Sequence, residues 1–483
     1  MELYADGLTK YPNNFDLAYN KARLELEIAT HPALVKHLDV PLNDLLQQAL
    51  SSHQYALGLD SQNADLLFNI SQVLTTIAEQ IAKANSISDV EAVRYLEQAL
   101  EYQSKCLKLQ ELNFTESRDQ HERALQQSQD EEGEEDDGGT KLEAGTTSVF
   151  EDKQEEEQWV SILEPVTAET LLDTIIAQLG TLTTLCSIIN ASMSPFDTPL
   201  TSVVAPAWIE SYSTKIVDGV LSNILATSKA ELQPRAKEIE LTKAILSSTL
   251  LEMAYRIRSI DIQMYKEGIN MAFASKVLVG DVSTLAAHAR ALIAFNGALA
   301  DDLTTVSALA PVDPSTHASV RWALLSEAQN LLAATSKIPT DDTSLVATTH
   351  ALRGDISLLL HALSHSPFAY PQAISNQAQL LRNAEVFYRN ATKLFSGLGV
   401  DDSDNKENFQ FRGGVVRVLQ QLPGSDHDST SPHSSAVVPA QAVPGIQSIL
   451  RDASPTRDDA WRRELLEEMV DEGLIRGQIF GIQ

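Results

Sequence analysis

The sequence predicts an all-α protein built from stacked antiparallel helical hairpins, and three observations support this prediction. Leu and Ala recur at positions i, i+3, i+4 and i+7 through residues 15–110 and 166–396, which is the spacing of amphipathic helices. Gly (21) and Pro (18) are scarce among the 483 residues, which disfavours a turn-rich β-sandwich. A seven-residue pattern near the N-terminus also occurs twice, as expected for a repeated helical unit.

The repeated pattern is N-x-D-L-x-[Tyr/Phe]-N. Residues 14–20 read NFDLAYN and residues 63–69 read NADLLFN, at an interval of 49 residues. The register continues upstream, because Gly7-Leu8 matches Ala56-Leu57 at the same interval. Agreement over this many positions predicts two copies of one helical hairpin.

These residues resemble the tetratricopeptide repeat. The stretch ALSSHQYALGLDSQNADLLFN follows that family's A-x3-[bulky]-x2-A-L-x-L-D-P-x-N-A junction, with Ser61 where Pro is usual and Pro12 in that place in the first copy. The family period is about 34 residues, so about 15 further residues are expected between the paired helices, at 31–44 and 84–92. The resemblance implies an α-solenoid in which each hairpin buries its apolar face against its neighbours.

Weaker matches to the same family occur in the second half of the chain. The second-helix pattern recurs at Ala291-x3-Phe295-x2-Ala298 and at Ala384-x3-Tyr388-x2-Ala391. The segment HALRGDISLLLHAL is similar to a first helix. Together with the N-terminal copies, these matches imply an array of four to seven repeats.

Two segments interrupt the helical pattern and divide the chain. Residues 130–157 hold 13 acidic and 2 basic residues, and this charge density predicts disorder. Residues 399–460 are rich in Ser, Asp, Pro and Gly, which predicts a second disordered linker. The predicted division is helical repeats over 1–125, an acidic disordered tract over 126–160, helical repeats over 161–398, a disordered linker over 399–457, and a helix with a tail over 458–483.

The segment DDAWRRELLEEMVDEG predicts a final helix. Asp458 or Asp459 can cap its start, and Gly473 can end it in a left-handed turn. Its apolar side chains share one face: Trp461, Leu465, Leu466, Met469 and Val470. This face either packs on the body of the protein or binds a partner.

The linker also contains two Ser-Pro dipeptides, at Ser431 and Ser454. Because the segment around them is predicted to be exposed, we expect both serines to be accessible to proline-directed kinases. Ser-Pro is a short motif, and the incidental occurrence of both dipeptides is the alternative.

Charge and composition restrict the class of partner and the compartment. Acidic residues outnumber basic ones 66 to 36, giving a net charge of −30, which disfavours direct binding to nucleic acid or to an anionic membrane. A basic protein partner is the natural complement. No apolar run of 18 residues and no signal peptide is evident, so we expect a cytoplasmic or nuclear protein in which Cys106 and Cys186 are buried and reduced.

Motifs for catalysis are not recognisable in the sequence. It has no Gly-rich phosphate loop, no G-x-S-x-G and no H-E-x-x-H. His361 and His365 are four residues apart, but two ligands do not define a metal site. We therefore expect a protein that is not an enzyme and that uses no cofactor or metal, although an unrecognised active site is an alternative.

The candidate peptide-binding residues are Asp16, Asn20, Asp65 and Asn69. The resemblance places Asn20 and Asn69 at the position of the first helix from which Asn hydrogen-bonds a bound peptide backbone. Family members that hold acidic chaperone tails carry Lys four residues earlier, where this chain has Asp16 and Asp65. Positions i and i+4 share a helix face, so each Asp–Asn pair would attract Lys or Arg. Alternatively, the two Asp residues favour the first turn of a helix through its dipole.

The expected function is to hold a basic segment of a client protein. The combination of repeat type and charge resembles acidic tetratricopeptide escort and assembly chaperones, including those that guard newly made ribosomal proteins. The alternative is a structural scaffold subunit of a multiprotein complex that docks through its C-terminal helix.

Overall fold

The computed structural model describes residues 2–35, 37–38, 40–83, 89–131, 166–192, 206–306, 314–396, 403–422 and 446–482. Every regular element within these residues is helical, which confirms the predicted all-α class.

The first half contains ten α-helices: α1 (Glu2–Lys10), α2 (Phe15–Thr30), α3 (Pro32–Val35), α4 (Leu42–Leu59), α5 (Ala64–Lys83), α6 (Asp89–Glu131), α7 (Ala168–Ser192), α8 (Pro206–Thr214), α9 (Ser222–Thr227) and α10 (Lys229–Leu232). A π-helical segment (Lys215–Leu221) joins α8 to α9, and a 3₁₀ turn (Gln233–Arg235) follows α10.

The second half contains ten more: α11 (Ala236–Arg256), α12 (Ile262–Ala272), α13 (Val282–Val306), α14 (Pro314–Thr335), α15 (Thr343–Ala362), α16 (Pro371–Phe395), α17 (Ser403–Gln420), α18 (Ile446–Ala453), α19 (Asp459–Asp471) and α20 (Gly477–Phe480). A 3₁₀ turn (Lys276–Leu278) lies between α12 and α13.

Helices that are neighbours in sequence pack against each other in pairs. The main pairs are α2 with α4, α5 with α6, α13 with α14 and α15 with α16. The buried apolar side chains form two cores, and α11 contributes to both. The core that contains Ile239 and Leu246 is called the first core, and the core that contains Ala244 and Tyr255 is called the second core.

The repeated heptapeptide marks two helix starts. The side chain of Asn14 accepts a hydrogen bond from the backbone N–H of Leu17 at 2.9 Å, and that of Asn63 accepts one from Leu66 at 3.0 Å. The first Asn of each copy is therefore an N-cap. Asp16 and Asp65 lie in the first turns of α2 and α5, where a carboxylate is favourable to the helix dipole. The predicted insertion at 31–44 contains α3 and the start of α4, whereas residues 84–88 lie outside the described part of the chain.

Two predicted segment boundaries differ from the structure. Helix α6 continues to Glu131, past the predicted boundary at residue 125, and the rest of the acidic tract lies outside the described residues. The predicted disordered linker is wrong for residues 403–422 and 446–457, which contain α17 and α18. Helix α17 is ordered because its apolar side chains are buried in the second core; these are Phe411, Val415, Val416 and Val418.

Helix α19 packs on the body of the protein, as the first of the two interpretations predicted. Asp458 is its N-cap and accepts a hydrogen bond from the backbone N–H of Trp461. Gly473, with φ +70°, follows its end in the left-handed conformation. Leu465, Leu466 and Met469 are buried in the second core.

Ser454 is not exposed, which corrects the prediction of an accessible kinase site. Its side chain is fully buried, and its hydroxyl donates a hydrogen bond to the carbonyl of Leu450 at 3.1 Å. Ser431 lies outside the described residues, and its phosphorylation stays a prediction.

Helix α7 is long and apolar enough to cross a membrane by length and composition alone. Asp173, Gln178 and several Thr residues interrupt the apolar residues of α7, so this helix is not the continuous apolar run that the sequence analysis found to be absent. In the fold, 61% of the 18-residue apolar window is buried, and α7 packs against α6 and α11. This packing is that of a core helix.

Gly354 on α15 allows close contact with Tyr388 on α16, and we expect its replacement to be destabilising. A Cβ at Gly354 would lie 2.7 Å from Cε1 of the fully buried Tyr388 ring, whereas a Cβ at Gly180 on α7 would have no neighbour within 4 Å. Gly354→Ala should lower the free energy of unfolding by about 1–3 kcal/mol through overpacking. Gly180→Ala should raise it by about 0.5–1 kcal/mol through helix propensity. Urea unfolding of both variants measures these two changes in the free energy of unfolding, which should have opposite signs. A higher free energy of unfolding for Gly354→Ala would contradict the packing argument.

Candidate peptide-binding groove

A groove lies between α2 and α5, the helices that begin with the two copies of the repeat. Its volume is about 410 Å³. Eight side chains line it: Tyr19, Arg23, Leu26, Glu27 and Thr30 from α2, and Asp65, Phe68 and Asn69 from α5. Each wall thus comes from a different copy of the repeat.

The structure brings two of the four predicted site residues into this groove. The exposed Asp65 and the half-buried Asn69 line the α5 wall, while Asp16 and Asn20, both exposed, lie on α2 outside the lining. The copies differ because α5 has the equivalent helix α2 beside it. Among the described residues, α2 is preceded only by the short α1 and not by another copy of the repeat helix.

The Tyr19 side chain connects the two walls. Burial raises the pKa of its hydroxyl, and the nearby Asp65 carboxylate raises it further. Arg23 and a hydrogen bond with the Asn69 side chain act in the opposite direction. Phe15 stacks on Tyr19 with ring centroids 5.7 Å apart, which restrains the ring from the other side. Tyr19 of α2 therefore lies close to Asp65 and Asn69 of α5.

The charges in the groove are mixed rather than uniformly acidic. Glu27 and Asp65 supply carboxylates, and Arg23 supplies a guanidinium. None of the three forms an ion pair with another described residue, and all three are exposed. The groove therefore presents unpaired donors and acceptors to a ligand.

Sequence reasoning missed Tyr19, Arg23 and Phe68 as groove residues. Tyr19 and Phe68 occupy the shared aromatic position of the repeat, immediately before Asn20 and Asn69, so the pattern contained a signal for them. Arg23 corresponds to Gln72 in the second copy, so the repeat gave no indication of it.

Among the described residues, the histidine and cysteine side chains show no arrangement typical of a chemical site. His361 and His365 have ring centroids 4.8 Å apart, and burial lowers the pKa of His361 to about 3, aided by His365 and Arg476. Cys106 and Cys186 are buried as predicted, and burial raises the pKa of each thiol to about 12, so neither is a reactive thiolate at neutral pH. In the described part of the chain, no three His, Cys, Asp or Glu side chains converge to hold a metal ion.

Comparison with known proteins gives a partial similarity. No family model matches the chain. The chain is similar to the UPF0656 protein C926.02 of Schizosaccharomyces pombe, with 39% identity over 80 residues. These residues are 16% of this chain and 17% of the relative, so the match spans about a sixth of either protein.

Proposed function

We propose that this protein is a non-enzymatic helical-repeat protein that binds a basic segment of a client protein in the groove between α2 and α5. It would act as an escort or assembly chaperone or an adaptor, with ribosomal proteins as one class of client. The observation that supports this best is the placement of Asp65 and Asn69 one turn apart on the groove wall, opposite Tyr19.

Each side chain in the groove has a use in binding an extended basic peptide. The Asn69 amide offers both a donor and an acceptor to a peptide backbone, and Asp65 and Glu27 accept hydrogen bonds from Lys or Arg. Leu26 and Phe68 provide apolar area against which the aliphatic stems of Lys and Arg pack. The net charge of −30 adds long-range attraction for a basic client.

The overall architecture proposed is a tetratricopeptide-like solenoid. Support comes from the pairing of sequential helices and from the two capping Asn residues at equivalent positions. The buried Ala384, Tyr388 and Ala391 on α16, which pairs with the preceding α15, agree with a second-helix role. Ala291, Phe295 and Ala298 on α13 are also buried, but α13 is the first helix of its main pair.

The alternative of a scaffold that docks through its C-terminal helix has less support. The apolar face of α19 is covered by the second core, so its docking residues would have to leave the body first. The groove between α2 and α5 is open to solvent and needs no such rearrangement.

We expect Asp65→Lys to weaken client binding about tenfold or more. The exposed Asp65 carboxylate would be desolvated by a bound client, a desolvated charge pair contributes at least about 1.4 kcal/mol, and every 1.4 kcal/mol is a factor of ten. Asp16→Lys should change affinity less than about twofold, since an exposed charge outside the groove contributes little. The client is first identified as a stoichiometric, salt-sensitive, crosslinked partner by mass spectrometry, and fluorescence anisotropy with peptides tiling it gives the affinities. Equal effects of the two variants would contradict the proposed site, as would unfolding of the N-terminal helices by Asp65→Lys.

A further inference from the structure

The groove between α2 and α5 contains the cationic side chain of Arg23, which would make no favourable contact with a ligand that carries only basic residues. Arg23 lies in the lining together with Glu27 and Asp65. A segment that carried only Lys and Arg would be repelled by this guanidinium, so Arg23 needs a separate explanation.

Arg23 does not pair with its own helix neighbour. Arg23 and Glu27 are separated by four residues, the spacing at which opposite charges on a helix surface meet. The neighbouring pair at the same spacing on α2, Lys21 and Glu25, forms an ion pair at 3.2 Å. Arg23 and Glu27 form none, and both point into the groove lining instead. The guanidinium is therefore available to a ligand.

The free cation and a free anion lie on opposite walls around the same hydroxyl. Arg23 on α2 and Asp65 on α5 both act on the Tyr19 hydroxyl, with opposite signs. No ion pair joins Arg23 to Asp65, although both are close enough to influence Tyr19. The site thus has one positive and one negative contact separated across the groove, a pattern that complements a ligand with both signs of charge.

We propose that the groove binds a client segment that carries a carboxylate beside its basic residue, with the carboxylate on Arg23 and the base on Asp65. This inference rests on the proposed function and specifies its ligand. The carboxylate comes from an Asp or Glu side chain or from the C-terminus of the client, since the guanidinium accepts either in the same bidentate geometry.

The test measures the binding of three fluorescent 12-residue peptides to the full-length protein. The peptides consist of Lys, Leu and Ala, and one of them also contains Glu. One carries Glu residues alternating with Lys and an amidated C-terminus, the second carries Lys alone with an amidated C-terminus, and the third carries Lys alone with a free carboxylate. Anisotropy is measured for the wild-type protein and for Arg23→Glu, Asp65→Lys and Lys10→Glu. Lys10→Glu is the matched control, because Lys10 is an exposed cation outside the groove.

The wild-type protein should prefer a carboxylate-bearing peptide to the amidated all-Lys peptide by at least about fivefold, which is about 1 kcal/mol. Preference for the Glu-containing peptide identifies a side-chain carboxylate, and preference for the free-acid peptide identifies a chain end. Arg23→Glu should abolish the preference and strengthen binding of the all-Lys amide, while Lys10→Glu should leave the preference unchanged.

The outcomes separate this inference from the proposed function. If Arg23→Glu strengthens binding of every peptide, or if the wild-type protein shows no preference, the carboxylate contact is refuted while basic binding stands. If Asp65→Lys leaves the affinity of all three peptides unchanged, the groove is not the binding site and the proposed function fails as well.

Discussion

Replacing Arg412 with Ala should lower the free energy of unfolding by about 3 kcal/mol, because it leaves acidic side chains facing one another without their cation. Arg412 on α17 is 5% exposed and joins three helices. Its Nη1 donates to Asp355 on α15 at 3.0 Å and to Glu472, just past the end of α19, at 2.9 Å. Its Nη2 donates to Glu468 on α19 at 2.8 Å.

Most of this cost should come from Asp355. The side chains of Glu468 and Glu472 are 48% and 45% exposed, so water would replace part of what they lose. Asp355 is 18% exposed and also accepts a hydrogen bond from the hydroxyl of the buried Tyr388 at 2.6 Å. Without Arg412 this carboxylate would keep only a neutral donor in largely buried surroundings.

Urea unfolding measures the change, and Arg463→Ala is the control. Arg463 pairs with Glu467 on the same α19, but its side chain is 75% exposed, so its loss should cost less than about 0.5 kcal/mol. Because Arg412 joins α19 to α15 and α17, Arg412→Ala should also speed protease cleavage after residue 457. A destabilisation no larger than that of Arg463→Ala would show that the Arg412 cluster contributes little net stability.

Local signals in the sequence predicted the helix starts and the main helical regions. The first Asn of each repeat copy, Asp458 and Gly473 all act where capping chemistry places them, because caps depend on a few adjacent residues. Helix α17 was missed because the first part of its sequence, SDNKENFQFRGG, is polar, and two Gly residues separate it from the apolar VVRVL that follows. Helix α17 instead depends on tertiary packing. A Cβ at Gly414 would lie 2.6 Å from Cβ of Ala453, so α17 and α18 approach each other at a distance that only Gly permits at this position.

The candidate site was predictable only in part, for a related reason. Comparing repeat copies finds residues that the copies share, and Asp65 and Asn69 were found in this way. A groove forms between copies, so it also uses residues that only one copy has, such as Arg23. Which copy has an opposing wall depends on the stacking of α2 beside α5. The sequence pattern around Asp16 and Asn20 is the same as that around Asp65 and Asn69, yet only the second pair lines the groove.

We expect Ser454→Asp to lower the free energy of unfolding by about 3 kcal/mol, because it places an unpaired carboxylate at a buried position. Ser454 directly follows the end of α18, where the helix dipole is unfavourable to negative charge. Ser454→Ala should cost about 1 kcal/mol, since it removes one hydrogen bond to the Leu450 carbonyl. Ser448→Asp is the matched control, because Ser448 is exposed near the start of the same helix, and it should change stability by less than about 0.5 kcal/mol.

The pH dependence of Ser454→Asp provides an independent check. Burial would raise the pKa of the new carboxyl above that of the unfolded chain, since burial disfavours the charged form. The loss of stability relative to the wild-type protein should be complete above the folded-state pKa and should disappear as the pH falls below the unfolded-state pKa, about 3.9. Because Ser454 is buried, we also expect a proline-directed kinase to modify the denatured protein or a peptide around Ser454, but not the folded chain. Efficient phosphorylation of Ser454 in the folded protein, detected by phosphopeptide mapping, would show that α18 opens from α17 under native conditions.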